Sequence, residues 1–183
     1  MIDFSEIGVY NIRKEILFGK GECSMKQIIC FHNPEESNGF LSNWYLSEFD
    51  IDGKKFSSME QYMMYKKAEL FQDWEAAEKI LATDQVGKIK MLGRSVRNYE
   101  DTIWNGVRQI VVYEGLLAKF GQNEELRRLL LDTGDAVLAE CAVQDCIWGI
   151  GFSMKDKRRF VVEEWKGQNL LGYTLMKVRE RVG

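Results

Sequence analysis

Histidine and proline are nearly missing from this chain: His32 and Pro34 stand alone among 183 residues. One histidine leaves little room for histidine-based acid–base work or a histidine-rich metal site. The four cysteines, Cys23, Cys30, Cys141 and Cys146, show no Cys-x-x-Cys spacing. Neither a zinc knuckle nor a disulfide framework is suggested, and buried thiols are expected. No run of about 18 apolar residues is present to span a bilayer, and the opening stretch carries acids where a signal peptide would be basic and then apolar. A soluble, cytoplasmic protein without a membrane partner is expected. Also missing are G-x-G-x-x-G, a Walker loop, H-E-x-x-H and a G-x-S-x-G elbow, so no cofactor and no metal are expected. Basic charge is short as well. A net charge of -3 and a pI near 5.4 argue against a duplex-binding helical domain, so any phosphate recognition must be local.

What is there suits a single folded domain, since 45% hydrophobic residues and five tryptophans provide ample surface to bury. Residues 1–27, with Phe4, Ile7 and Ile12 followed by Gly19-Lys20-Gly21, read as an N-terminal extension packed on or near a domain over 28–183. Ile28-Ile29-Cys30-Phe31 is a short apolar run. Phe49 to Phe56 alternates about Asp52-Gly53 and predicts a hairpin. From Ser57 the pattern turns helical, with Ser57 and Glu60 fitting an S-x-x-E capping box and Met63, Met64, Lys67 and Leu70 at turn spacing. Further helices are expected after Asp73, from about Asp84 to Leu92 with Gly93 as the stop, and over Asp101 to Phe120 with Gly121 as terminator. In that long helix Ile103, Val107, Ile110, Val111, Leu117 and Phe120 are the expected apolar face. Glu124 to Leu131 and a last helix from near Gln168, striped by Leu171, Leu175, Val178 and Val182, complete the set. Val137 to Val143 hints at a strand, followed by a glycine-containing loop over Asp145 to Lys157. The expected fold is mainly α: a single-domain multihelical bundle with a small antiparallel β-sheet.

With histidine chemistry improbable, carboxylates are the available catalytic groups. Glu60 is either a helix-capping residue or a pocket carboxylate near the positive end of its helix, with Lys67 two turns on and Tyr62 beside them. A solvated lysine and a packing tyrosine are the plainer readings of those neighbours. Trp104 serves either the core or the face of a flat base. Arg94, after Gly93, suits a pair of phosphate oxygens or the helix dipole, and Asp145 is a loop carboxylate or a turn cap. Asn169 precedes the last helix as an N-cap or as part of an anion site.

Several short segments, taken in order, resemble the NADAR, or YbiA-like, family: Phe40-Leu41-Ser42-Asn43-Trp44, Ser58-Met59-Glu60-Gln61-Tyr62 with Lys67, Gly93-Arg94, Trp104 and Ala118-Lys119-Phe120. Asp145, Trp148-Gly149-Ile150-Gly151 and Asn169-Leu170-Leu171-Gly172-Tyr173 continue the match, which runs from about Ile28 to Val182. The resemblance implies a mainly helical, YbiA-like fold and hydrolysis of N-glycosidic bonds. Its implied substrates are phosphorylated ribosides of the ribosylaminopyrimidine type found among riboflavin intermediates. The alternatives are removal of ADP-ribose from guanine bases of nucleic acid and noncatalytic binding of ADP-ribose or a nucleotide. By position it makes Glu60, Trp104 and Asp145 the catalytic group. It also makes Asn43, Trp44, Tyr62, Lys67, Arg94, Trp148, Gly149 and Asn169 the substrate-binding candidates. Relative to shorter members, Phe152 to Trp165 form a charged insertion that bears on pocket access.

Overall fold

The computed structural model describes residues 26–183, so Cys23 and the extension up to residue 25 lie outside the described residues. Six α-helices and four short strands make up the described chain. Strand β1 (Ile28–Phe31) enters first, and a 3-10 turn over Gly39–Leu41 leads into β2 (Leu46–Ile51) and β3 (Lys54–Ser58). Then come α1 (Met59–Leu70), α2 (Trp74–Leu81), α3 (Val86–Arg94), α4 (Asp101–Gln122) and α5 (Glu124–Leu131). Strand β4 (Val137–Glu140) and α6 (Leu170–Val182) close the chain. The mainly helical, single-domain expectation holds, and no described helix is long and apolar enough to cross a membrane.

The hairpin follows from its turn. Ile51 pairs with Lys54, and both intervening residues take positive φ, 51° at Asp52 and 72° at Gly53, as a type I′ turn requires. The other sheet differs from expectation, because β1 and β4 pair in parallel, Ile28 with Val137 through Phe31 with Glu140. Parallel neighbours need a long crossover, and here the hairpin and five helices supply it between β1 and β4. Val137, Leu138 and Ala139 are all buried, which removes the polar alternation expected of a surface strand.

Helix α1 lies at the centre, packed against α2, α3, α4 and β3. Its start is one residue later than the capping-box reading. Ser58 is the N-cap, its side chain accepting from the Gln61 N–H at 3.2 Å, while Gln61 Oε1 accepts from the Ser57 N–H at 2.7 Å. Glu60 is thereby released from cap duty. Behind it Tyr62 stacks edge-on against Phe56, with centroids 5.0 Å apart, in an aromatic cluster with Phe49.

The long helix buries a face shifted from the one its aliphatic residues suggested: Phe120 is fully buried, and Val107, Val111 and Leu117 are packed against the core but only partly buried. Trp104, Val112, Gly115, Leu116, Lys119 and Phe120 face inward, whereas Ile103 and Ile110 are exposed. Gly115 sits where a Cβ would meet Tyr62 Cδ1 at 2.5 Å, so close approach of α1 and α4 requires glycine there. Neither expected glycine stop ends its helix. Chain α3 continues through Gly93, whose missing Cβ makes room for the Met64 side chain. Likewise α4 continues through Gly121 to Gln122, and Asn123 Nδ2 donates to the Lys119 carbonyl at 2.8 Å near its end.

Candidate active site

A cavity of about 890 Å³ opens between α1, α3 and the segments that follow the two parallel strands. His32 and Asn33 come from the exit of β1, and Glu140 to Asp145 from the exit of β4. Asn43, Trp44, Glu60, Lys67, Lys90, Arg94 and Trp148 also line it. The charged insertion contributes Ser153, Met154 and Lys155 to the wall.

Glu60 reaches this wall because the loop before β2 docks on the start of α1, its N–H donating to the Asn43 carbonyl at 2.9 Å. That loop is held from below by Lys119, fully buried, whose Nζ donates to the carbonyls of Phe40 at 2.7 Å and Ser42 at 3.3 Å. Burial alone pulls the Lys119 ammonium down to about 7. Burial also dominates at Glu60, pushing its carboxyl up to about 7; Lys90 opposes this, Asp145 adds to it, and a hydrogen bond with Trp44 and the charge of Arg94 lower it again. The carboxyl is therefore poised near neutrality rather than fixed as an anion.

Asp145 is held differently. Its Oδ1 accepts from the N–H groups of Ile147 at 3.0 Å and Trp148 at 2.8 Å, a turn that shapes the loop and keeps the carboxylate at the pocket. The turn-cap reading and the pocket reading are thus both true of it. Lys67 is no solvated lysine, since its Nζ donates to the Gly93 carbonyl at 2.8 Å and lies 3.9 Å from the Tyr99 ring centre. Partial burial lowers its pKa, and Asp101 acts the other way.

Four of the residues singled out from sequence do not line this cavity. Tyr62 belongs to the aromatic cluster behind α1, and Trp104, 6% exposed, belongs to the core. The tryptophans on the wall are Trp44 and Trp148 instead. Gly149 is a packing position, where a Cβ would come within 2.9 Å of the Glu140 carbonyl oxygen and of Ala142 Cβ. Asn169 adopts the left-handed conformation, φ 53°, and its side chain makes no cap hydrogen bond. Its Nδ2 donates to the Leu138 carbonyl at 2.8 Å and its Oδ1 accepts from the Glu140 N–H at 3.1 Å, so it clamps β4 to α6.

Sequence reasoning passed over Glu140 and Lys90. Glu140 ends the buried run Val137-Leu138-Ala139, and an acid at the end of an apolar strand was the available signal. Burial, then Asp145, then Glu60 push its carboxyl up to about 8, with Lys90 opposing. Among the described residues no set of three or more His, Cys, Asp or Glu side chains is placed to hold a metal ion. Of the described cysteines, Cys30 and Cys141 are buried and Cys146 is exposed, against the expectation of burial throughout.

The chain is similar to proteins of known name over most of its length. It is 39% identical to the N-glycosidase R617 of Acanthamoeba polyphaga mimivirus over 83% of this chain and 94% of that protein. It is 31% identical to the riboflavin biosynthesis protein VVA0006 of Vibrio vulnificus over 94% of this chain and 41% of that protein. The NMR structure of the Escherichia coli protein YbiA superposes with a TM-score of 0.71 at 32% identity, covering 86% of each chain. The sequence profile of the NADAR domain matches residues 30–183, from the middle of β1 to the C-terminus, and so includes every segment that forms the cavity. The chain belongs to the NADAR domain family.

Proposed function

We propose that this protein cleaves the bond between ribose C1 and the base nitrogen of phosphorylated ribosides of the ribosylaminopyrimidine type. It is a hydrolase of the N-glycosidase class, as its relatives' names state. The observation that carries the reading is the division of charge in the cavity. A buried carboxyl, Glu60, stands at the start of α1, while Lys67 lies two turns, about 10 Å, further along that helix and Arg94 lines the cavity from α3. Loss of the base builds positive charge on the sugar, which ionised Glu60 stabilises; the phosphate is met by the cations. Asp145 orients the attacking water, and Trp44 or Trp148 stacks on the base, a contact worth roughly 1–3 kcal/mol in nucleic-acid sites.

The test is sugar release from a panel of phosphorylated ribosides, identified by mass spectrometry. Glu60→Gln preserves size and hydrogen bonding but removes the charge, so turnover should fall at least about 100-fold. Activity within a few-fold of the parent rejects the role of Glu60.

A second reading is removal of ADP-ribose from guanine bases of nucleic acid. The cavity volume and the presence of both Trp44 and Trp148 on the wall favour it, since a dinucleotide-sized ligand offers more than one face to stack. ADP-ribosylated DNA run beside the riboside panel separates the two. Tight binding of ADP-ribose with no sugar released, unchanged by Glu60→Gln, would instead mark a binding module.

A further inference from the structure

Glu140 is the partly buried acid of the cavity that the reaction outlined above leaves without a task. Its backbone is held from several sides. The N–H donates to Asn169 Oδ1 at 3.1 Å, and the carbonyl accepts from Ile150 N–H at 2.8 Å and Ala142 N–H at 3.1 Å. The side chain is therefore presented to the cavity by fixed scaffold on the strand side and the loop side. Its Oε2 is buried with no hydrogen-bond partner, and so is Oδ1 of Asn43 on the same wall. A buried polar atom left unpaired costs about 1–3 kcal/mol, a cost that a ligand donating to Asn43 and engaging Glu140 would remove.

The charged groups acting on Glu140 come from three elements. Glu60 on α1 and Asp145 on the following loop disfavour its ionisation, and Lys90 on α3 favours it. With two acids lining one cavity and acting on each other, one charge and one proton are the stable arrangement at neutral pH. The proton falls to Glu140, whose Oε2 has no hydrogen-bond partner, whereas Glu60 has a hydrogen bond with Trp44 and the charge of Arg94 to favour its ionised form.

From this geometry we infer that Glu140 is the general acid of the site, giving its carboxyl proton to the departing base nitrogen. The inference rests on the N-glycosidase reading. As the C1–N bond breaks, its electron pair goes to nitrogen, which takes the proton of Glu140. A water oxygen bonds to C1, and the proton it sheds goes to the Glu60 carboxylate. That proton returns to Glu140 directly or through solvent, so riboside and water become free sugar and free amine, with both carboxyls restored.

Leaving-group chemistry tests the assignment on the full chain. The parent and Glu140→Gln are assayed on a ribosylaminopyrimidine 5-phosphate, whose nitrogen needs a proton, and on 4-nitrophenyl riboside 5-phosphate, whose phenolate leaves without one. Loss of about 100-fold or more on the first substrate, with less than about tenfold on the second, is expected. The parent's kcat/KM should also fall above about pH 8 on the amine substrate, and that alkaline limb should vanish in the variant. Equal losses on both substrates, with the limb unmoved, would show that Glu140 only shapes the pocket and overturn the inference. A parent that releases sugar from neither compound fails the N-glycosidase reading itself, and the assignment falls with it.

Discussion

The two small sheets deliver one carboxyl each to the cavity, and they are built in opposite ways. Hairpin β2–β3 is local: a two-residue turn fixes its register, and the chain leaves it directly into α1, where Glu60 is the second residue. Pair β1–β4 is parallel, joins opposite ends of the domain, and ends at Glu140. The hairpin forms from neighbours in sequence, so loop closure costs it little. The parallel pair closes across the hairpin and five helices, so its closure costs more. One active site therefore depends on a cheap local element and a non-local one, and the non-local element carries the heavier structural constraint.

Damage to the β4 side should accordingly be the most severe. A Cβ at Gly172 would lie 2.0 Å from the Leu138 carbonyl oxygen, with the Asn169 side chain also inside 3 Å. Neither backbone can give way without moving α6 off the sheet. Gly172→Ala should cost about 3 kcal/mol or more in urea unfolding and abolish most turnover. A loss under about 1 kcal/mol would mean that β4 and α6 slide easily, and the contrast between the sheets would collapse.

Asn169→Ala attacks the same seam without a clash. It removes the bonds to the Leu138 carbonyl and Glu140 N–H and leaves both buried groups unpaired. About 2–3 kcal/mol of stability should go, with a drop in kcat larger than any rise in KM. Asparagine also tolerates the left-handed backbone at this position, which alanine does not, so Asn169→Gly should recover part of the stability and none of the clamp.

What could be read from the sequence divides along the same line. Asp52-Gly53 announced its hairpin because turn type depends on two adjacent residues. Glu124 to Leu131 was equally plain, its apolar Leu126 and Leu130 one turn apart on the buried side. The buried face of α4 was legible only in part, because Gly115 and Lys119 occupy inward positions for reasons that only tertiary contacts supply. One admits Tyr62, and the other binds the carbonyls of Phe40 and Ser42. Glu60 was legible as a candidate from its place at a helix start. Its release from capping, and the arrival of Glu140 in the same cavity, depend on a one-residue shift of the N-cap and on a parallel pairing with no local signature.

The paired acids give the comparison a pH axis. Glu60 and Glu140 both have native values raised above the ordinary 4.5, to about 7 and about 8. Between those limits the folded protein holds protons that the unfolded chain has released. Their contribution to stability is thus full below about pH 4.5 and is lost as pH rises through 7 and 8. Glu140→Gln cannot ionise. Relative to the parent it should gain about 1.4 kcal/mol per pH unit between pH 5 and pH 8 in urea unfolding, and little beyond, while losing activity. A flat difference across that range would mean that Glu140 is as well solvated as an ordinary surface glutamate.

The smallest effect belongs to the hairpin tip. Gly53 takes φ 72°, and a Cβ there would meet nothing within 4 Å, so the penalty of Gly53→Ala is backbone strain alone. An L-residue in the left-handed region costs about 1 kcal/mol, part of which is returned by the stiffer unfolded chain. Asp52 already bears the same strain at φ 51°, which shows that the turn persists with a side chain at one of its two central positions. Register is further held away from the tip by Phe49 opposite Phe56, whose rings lie 5.9 Å apart and back onto Tyr62. Urea unfolding should therefore register a loss near 1 kcal/mol, while kcat and KM stay within twofold of the parent. A loss of turnover comparable to that of Asn169→Ala would show that the hairpin positions Glu60 as strictly as β4 positions Glu140, and the division between cheap and constrained elements would not hold.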